Sequence, residues 1–450
     1  MPRRTSGEQR LASNQCQGIS LVNMRPVEGT TDHVSLCIDA KLSSLPRNPP
    51  ERCIFKVNYQ LRSVNEKAYE PEMLAIGPYH RDKNRLQVME EHKLRYLQQL
   101  LRRRNESSVH KYVMALRRFE ERARKCYAES ISLNVDEFVE MLLLDGCFII
   151  ELLRKYAILE LRDINDPTFS MDWILNSLAR DMMLFENQLP FFVLHHLFNM
   201  TMIPDMPYDL VDVALHFFDC ALPCPVSVKE GNSSYEINHL LGLIHNFILT
   251  PFTAETGVTR DVVGKEENFG FMHSATDLKE AGVTFKKADG SNLFDIKFEN
   301  GVMKIPCLRI EDQTESFLRN RIAYEQYREG NRLNYVTDYV TFINYLINSS
   351  KDVELLCRYG IIENWLGDHE AVSAMFNKLG NYVMVSNFCY AEIFKNVNVY
   401  CCRRWNLQMT KLRRNYFNSP WALLSFLAAV LLLMLTLIQT VFSILSYVSL

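Results

Sequence analysis

The sequence predicts a mainly α protein: a large helical globular region with a small antiparallel β-hairpin element, followed by a C-terminal transmembrane helix. Three observations carry this reading. Apolar residues recur at helical spacing through most of the 450-residue chain. One stretch, from Phe294 to Ile310, alternates around an Asn300–Gly301 pair. The run from Trp421 to Leu450 carries no charged residue.

Composition sets the limits. Hydrophobic residues make up 48 % and charged residues 23 %, enough apolar material for a large core. A net charge of -3 argues against a generic nucleic-acid binder, which needs a basic excess. The 12 cysteines form no regular framework. Their close pairs, Cys220 with Cys224 and Cys401 with Cys402, do not supply the four converging ligands of a zinc site. Reduced thiols in a cytosolic compartment are the simpler account.

Residues 1–50 read as a flexible polar leader, charged and without the apolar run of a secretory signal. From Arg52 to Asp82, "RCIFKVNYQLRSVNEKAYEPEMLAIGPYHRD" reads as short extended segments and turns. In it Tyr79 and His80 follow a turn and form a candidate contact site for a partner protein, with a packed turn as the competing reading. Helices follow. Leu86, Met89, Leu94, Leu97, Leu100 and Leu101 keep helical spacing. The basic stretch from Arg102 to Lys125 reads as a solvated face, with an anionic lipid surface as its other use.

Val135 to Tyr156, "VDEFVEMLLLDGCFIIELLRKY", is apolar on more than one face and reads as a buried central helix. Asp136 and Glu137 suit its positive end, and Arg154 and Lys155 its negative end. Ser170 to Met200 reads as one or two helices interrupted at Pro190. Residues 223–235 read as a loop where the domain at 51–415 would divide if it has two lobes. Residues 251–275 read as a second loop.

The Asn300–Gly301 pair predicts a type I′ hairpin, since both residues accept positive φ. Val283 to Ala288 is a third strand candidate. Helices resume near Thr314, with ends expected at Gly360, Gly367 and Gly380.

The anchor is assigned to 419–447, and contact with membrane lipid to residues 421–445. A 25-residue apolar run exceeds the roughly 20 residues that cross a bilayer. Ser419 would cap it, Pro420 suits the first helical position, and Trp421 suits the interface. Arg403, Arg404, Lys411, Arg413 and Arg414 precede the run and no charge follows it, which places the large region on the cytoplasmic side. The chain therefore reads as tail-anchored. Four glycosylation triplets, at Asn105, Asn199, Asn232 and Asn348, are what composition alone produces.

Chemistry is not announced anywhere. Phosphate-binding glycine loops, nucleophile elbows and H-E-x-x-H are absent. His195 and His196 are adjacent and point to different helix faces, so they cannot chelate together. His80, His239 and His245 stand alone, and acid pairs such as Asp181 with Glu186 or Glu311 with Asp312 are ordinary for this composition. Catalytic residues, metal ligands and cofactors are not expected.

Several long motifs nevertheless share a source. Cys53 to Leu97, Val135 to Leu153, Leu184 to Leu194, Phe294 to Gln326, Gly360 to Gly367 and Asn418 to Ala422 together resemble the plant-specific family called domain of unknown function 247. The chain departs from it at Asn58, at Arg81 and in the extra Ser of "NSPWA". The resemblance implies a mainly helical region, a small β element and a C-terminal anchor. It implies no catalytic residues. Some grass members are similar to pollen-side determinants of self-incompatibility, so recognition or signalling through an unidentified protein partner is the expected role. The alternative is a hydrolase-like enzyme whose carboxylates are assembled by the fold.

Overall fold

The computed structural model describes residues 32–44, 52–163, 166–204, 208–219, 237–256, 271–289, 292–328, 334–385, 388–402 and 420–448. The chain divides into a unit at residues 1–50 and a unit at residues 51–450. In the first, part of the stretch read as a leader forms helix α1 (His33–Ser44). Its Val34, Ile38 and Leu42 recur every four residues, a helical signal that the surrounding polar residues conceal, and all three are exposed.

The second unit is mainly helical, as expected. After α2 (Tyr59–Val64) come α3 (Val88–Arg103), α4 (His110–Lys125) and the long α5 (Val135–Ala157). Asn134 and Glu137 close a capping box at the start of α5. Of its 23 residues 17 are buried. A helix apolar all round must be covered all round, and α5 is: α3 and α4 pack on it, as do α8 (Phe191–Met200) and α9 (Leu210–Phe218). Gly146 lets α8 close in, because a Cβ there would lie 2.5 Å from Leu197 Cδ1.

Between α5 and α8 lie α6 (Pro167–Ser170) and α7 (Asp172–Met182). Pro190 is the residue before α8, so the break expected at Pro190 is real and separates two helices. It is longer than a kink, since residues 183–190 form a non-helical segment. The lobe boundary near 223–235 lies outside the described residues.

After α10 (Leu240–Thr256) and α11 (Ala275–Glu280), the strands appear. Strands β2 (Lys297–Glu299) and β3 (Val302–Ile305) form the expected antiparallel hairpin, pairing Phe298 with Met303. Asn300 has φ 51° and Gly301 φ 80°, the positive values that the turn requires. The sheet is nevertheless mixed. Strand β1 (Thr284–Lys287) joins β3 in parallel, giving the order β1-β3-β2. A second sheet pairs β4 (Leu308–Ile310) with β5 (Ile362–Asn364), also in parallel. Gly360 turns the chain into β5 and Gly367 out of it, both at positive φ, so Gly367 ends a strand turn and not a helix.

The helices α12 (Thr314–Gln326), α13 (Tyr335–Leu346), α14 (Ser350–Arg358), α15 (His369–Leu379) and α16 (Ala391–Cys402) complete this half. Gly380 caps α15 in a right-handed conformation. Helix α12 packs against the 3-10 turn at Glu66–Tyr69, and α10 touches both α9 and α12. One continuous apolar cluster results, from Ile54 to Cys401. Last comes α17 (Pro420–Val448).

Candidate functional site: a buried polar clamp and an uncovered apolar helix

The densest polar chemistry surrounds the segment from Leu74 to His80. A non-helical strip of backbone passing through a core must find partners for its N–H and C=O groups, and side chains supply them. Asp181, at the end of α7, accepts N–H bonds from Glu72, Met73 and Leu74 at 2.7–2.9 Å. Asn187 accepts from Ile76 N at 2.7 Å and donates to Leu74 O at 2.8 Å. Asp145, in the middle of α5, accepts from Gly77 N at 2.8 Å and from Lys93 Nζ at 2.6 Å. Lys93 also donates to Ala75 O and to Glu90. Asp145 and Lys93 are each 1 % exposed. Burial pushes the Asp145 carboxyl up, and the Lys93 charge pulls it back only in part.

The neighbouring residues extend the clamp. Glu186 accepts from Val57 N at 2.7 Å and pairs with Arg62 at 2.6 Å. Burial raises its pKa, but hydrogen bonds from His80 and Arg62 with the Arg62 charge outweigh burial, and the net direction is down. Gln188 donates to Met182 O and Leu184 O and accepts from Leu241 N. From α12, Asn320 accepts from Phe185 N and donates to Ala68 O. The Asp181 and Glu186 carboxylates thus hold backbone and Arg62, which is structural work.

The two residues taken from the sequence as a contact pair sit in this packed turn. His80 is 3 % exposed, with Nε2 3.4 Å from Glu186 Oε2, so it has no surface to offer a partner. Tyr79 is half-buried. Its hydroxyl donates to Glu129, its ring meets Tyr127 edge-on at 5.6 Å, and burial together with Glu129 raises its pKa. His195 is exposed, while His196 lies against the Phe119 ring at 4.8 Å, so adjacent histidines do face different ways.

A second polar group lies between α10, α12 and α13; the sequence offers its His239 and His245 only as isolated residues, and the fold brings both against the Tyr324 ring and His245 beside Glu325. Glu325 accepts from Val336 N at 2.9 Å and Thr337 N at 2.8 Å, capping α13 from a neighbouring helix. His245 Nε2 lies 3.5 Å from Glu325 and 3.3 Å from Arg328. Asp338 accepts from Cys389 N at 2.8 Å. Burial pushes both Glu325 and Asp338 up to about 7. It drives His239 down to about 3 and His245 well below its ordinary value. The one available signal was weak: acidic residues inside otherwise apolar helical patterns.

The basic stretch in α3 and α4 is largely neutralised in place. Arg103 grips Glu151 with two bonds at 2.6–2.7 Å, and Arg104 and Lys111 share Glu106. Arg117 pairs with Asp136, Arg124 with Glu120 and Lys125 with Glu121. Among the described residues, no group of three or more His, Cys, Asp and Glu is disposed to hold a metal ion.

Helix α17 has the opposite character. Leu424–Ile444 has a mean hydropathy of 2.4, and none of it is buried by the rest of the chain. It is the one helix among the described residues long and apolar enough to cross a membrane. Pro420 opens the helix, where its missing N–H costs nothing, and Trp421 is 78 % exposed beside it. The Thr436 and Thr440 hydroxyls bond carbonyls of their own helix. Arg413, Arg414 and Ser419 lie outside the described residues.

Comparison with known proteins finds relatives along most of the chain. The family model for DUF247, a plant protein of unknown function, matches residues 54–435. UPF0481 protein At3g47200 of Arabidopsis thaliana is 32 % identical over 420 residues, covering 88 % of this chain and 87 % of the relative. UPF0481 protein At3g02645, from the same plant, is 24 % identical over 497 residues, covering 90 % and 93 %. No solved structure matches the chain. The family match takes in the polar clamp, both small sheets and the first part of α17, and by it this chain belongs to the plant DUF247 family.

Proposed function

We propose that this protein is a non-enzymatic, single-pass membrane protein, anchored by α17, whose large helical unit works on the cytoplasmic side by binding another protein. One observation carries the reading: Leu424–Ile444 is an apolar helix none of whose residues is buried among the described residues. Such a surface in water is unfavourable by about 25 cal/mol per Å², and a bilayer removes that cost. Five basic residues between Arg403 and Arg414, just before the apolar helix, favour the cytoplasmic placement.

The protein-binding part is supported by exposed aromatic surface. Trp365 is 68 % exposed, with the Arg309 guanidinium 5.2 Å from its ring. Trp and Arg are the residue types that most often anchor protein interfaces. The similarity of some family members to self-incompatibility determinants extends this to self/non-self recognition as a role.

The competing carboxylate-enzyme reading would rest on Glu325 and Asp338. Glu325 spends both oxygens and Asp338 one of its two on backbone N–H groups, and neither residue is more than 2 % exposed, so neither carboxylate is open to a substrate.

Topology and partner are tested in plant cells. A glycosylation tag after Leu450 should acquire sugar, while one at the N-terminus, and the exposed native triplets at Asn105 and Asn348, should not. Sugar on the large unit overturns the placement. Affinity capture with the full chain should yield a protein whose recovery falls with Trp365→Ala; recovery that follows α17 alone overturns the binding role.

A further inference from the structure

Leu424–Ile444 contains five polar side chains: Ser425, Thr436, Gln439, Thr440 and Ser443. On a helix of 3.6 residues per turn they all fall within an arc of about 100°. The remaining arc holds only apolar residues, including Leu427, Val430, Leu431, Met434, Leu437, Ile438 and Val441. Ser425, Ala429, Leu432, Thr436, Gln439 and Ser443 follow one another at alternating four- and three-residue steps, the seam spacing of paired helices.

Small residues on one face would say little by themselves. Gln439 adds a second observation. The threonine hydroxyls are satisfied inside their own helix, by Leu432 O and Leu433 O for Thr436 and by Thr436 O for Thr440. The Gln439 amide, with two N–H donors and a carbonyl acceptor, has no hydrogen-bond partner among the described residues. It stands eight residues before Tyr447, which is about 12 Å along the helix axis. Lipid tails offer an amide at that depth nothing to bond, so an amide or carbonyl partner on another helix is favoured there.

We propose that α17 pairs with α17 of a second copy of this chain through this polar face, with Gln439 bonding Gln439 across the contact. The proposal rests on the membrane reading above. An amide is both donor and acceptor, so it is complementary to an identical amide related by a two-fold axis, where each residue of a symmetric pair meets its own counterpart. Ser425, Ala429 and Ser443 are small enough to let two backbones approach. Leu432 interrupts the polar series and would pack as the one large side chain of the seam.

The test uses the full-length chain, fused at its N-terminus to a donor or an acceptor fluorescent protein and mixed in phosphatidylcholine vesicles free of other proteins. Energy transfer should exceed that of random proximity and fall as lipid is added. Gln439→Leu should require a protein-to-lipid ratio about fivefold higher or more for half-maximal transfer. Val441→Leu, on the opposite face, should change nothing. Both variants keep the helix apolar, so neither threatens insertion. Transfer at the random level, or equal transfer by Gln439→Leu and the unaltered chain, overturns the pairing while leaving the anchor standing. Failure of the unaltered chain to enter vesicles overturns both.

Discussion

Lys93 and Asp145 show what a buried charge pair does in this core. Each is 1 % exposed, and together with Gly77 and Ala75 they tie α3 and α5 to the same non-helical turn. Removing one partner strands the other, which typically costs about 3–5 kcal/mol. Lys93→Met should therefore lower stability by that order, read as a drop in urea midpoint. Lys93→Met with Asp145→Asn should recover much of the loss, because Asn still accepts from Gly77 N. Asp338 makes a pH prediction. Its folded pKa of about 7 lies above the ordinary 3.8, so the folded state holds the proton more tightly than the unfolded one. The stability this contributes is complete below about pH 4 and is lost as pH rises through 7. Asp338→Asn keeps the acceptor for Cys389 N and cannot ionise. The stability difference between this variant and the unaltered chain should grow by up to a few kcal/mol from pH 4 to pH 8, in favour of the variant. A flat difference would show the carboxyl to be ordinary. Neither pair was legible in the sequence: "LLLDGCF" shows a charge in an apolar run, but Lys93 is 52 residues away and its approach is a matter of tertiary packing.

At the scale of elements, local chemistry was readable and distant pairing was not. The Asn300–Gly301 turn announces its hairpin because the φ requirement sits in two adjacent residues. Nothing local announces that β1 joins β3, or that β4 finds β5 more than fifty residues later, since parallel partners are chosen by the fold. The same logic separates two glycines. Gly301 has φ 80° and a Cβ there would meet the Tyr400 ring at 2.5 Å; Gly367 has φ 79° and nothing within 4 Å. Gly367→Ala should thus cost only the backbone strain, about 1 kcal/mol. Gly301→Ala should cost that and the clash together, about 2–4 kcal/mol, with lost contact between α16 and the hairpin. Thermal melts of the two variants check the ranking. Equal losses would mean that Tyr400 yields without cost.

Among the described residues there is one continuous hydrophobic core and, outside it, one helix long and apolar enough to cross a membrane. Most of this contrast was in the sequence, because a long uncharged run needs no tertiary knowledge to recognise, whereas the polar clamp needed the fold to bring residues 57–80 against 181–188. The separation has a consequence for stability. No residue of the Leu424–Ile444 window is buried, so it adds little packing to the core. A chain ending after residue 415 should then leave the membrane fraction and become soluble. It should unfold within about 0.5 kcal/mol of the full chain measured in detergent, the range of a change that touches no packed feature. The full chain should stay with membranes through high salt and alkaline carbonate, which strip proteins held by charge alone. Leu433→Arg near the middle of the apolar window should weaken insertion by about 2.5–3.5 kcal/mol without altering the fold of the rest. If the shortened chain aggregates or melts far earlier, α17 is a part of the folded body that must be covered by it, and the anchor gives way to a core helix waiting for its place.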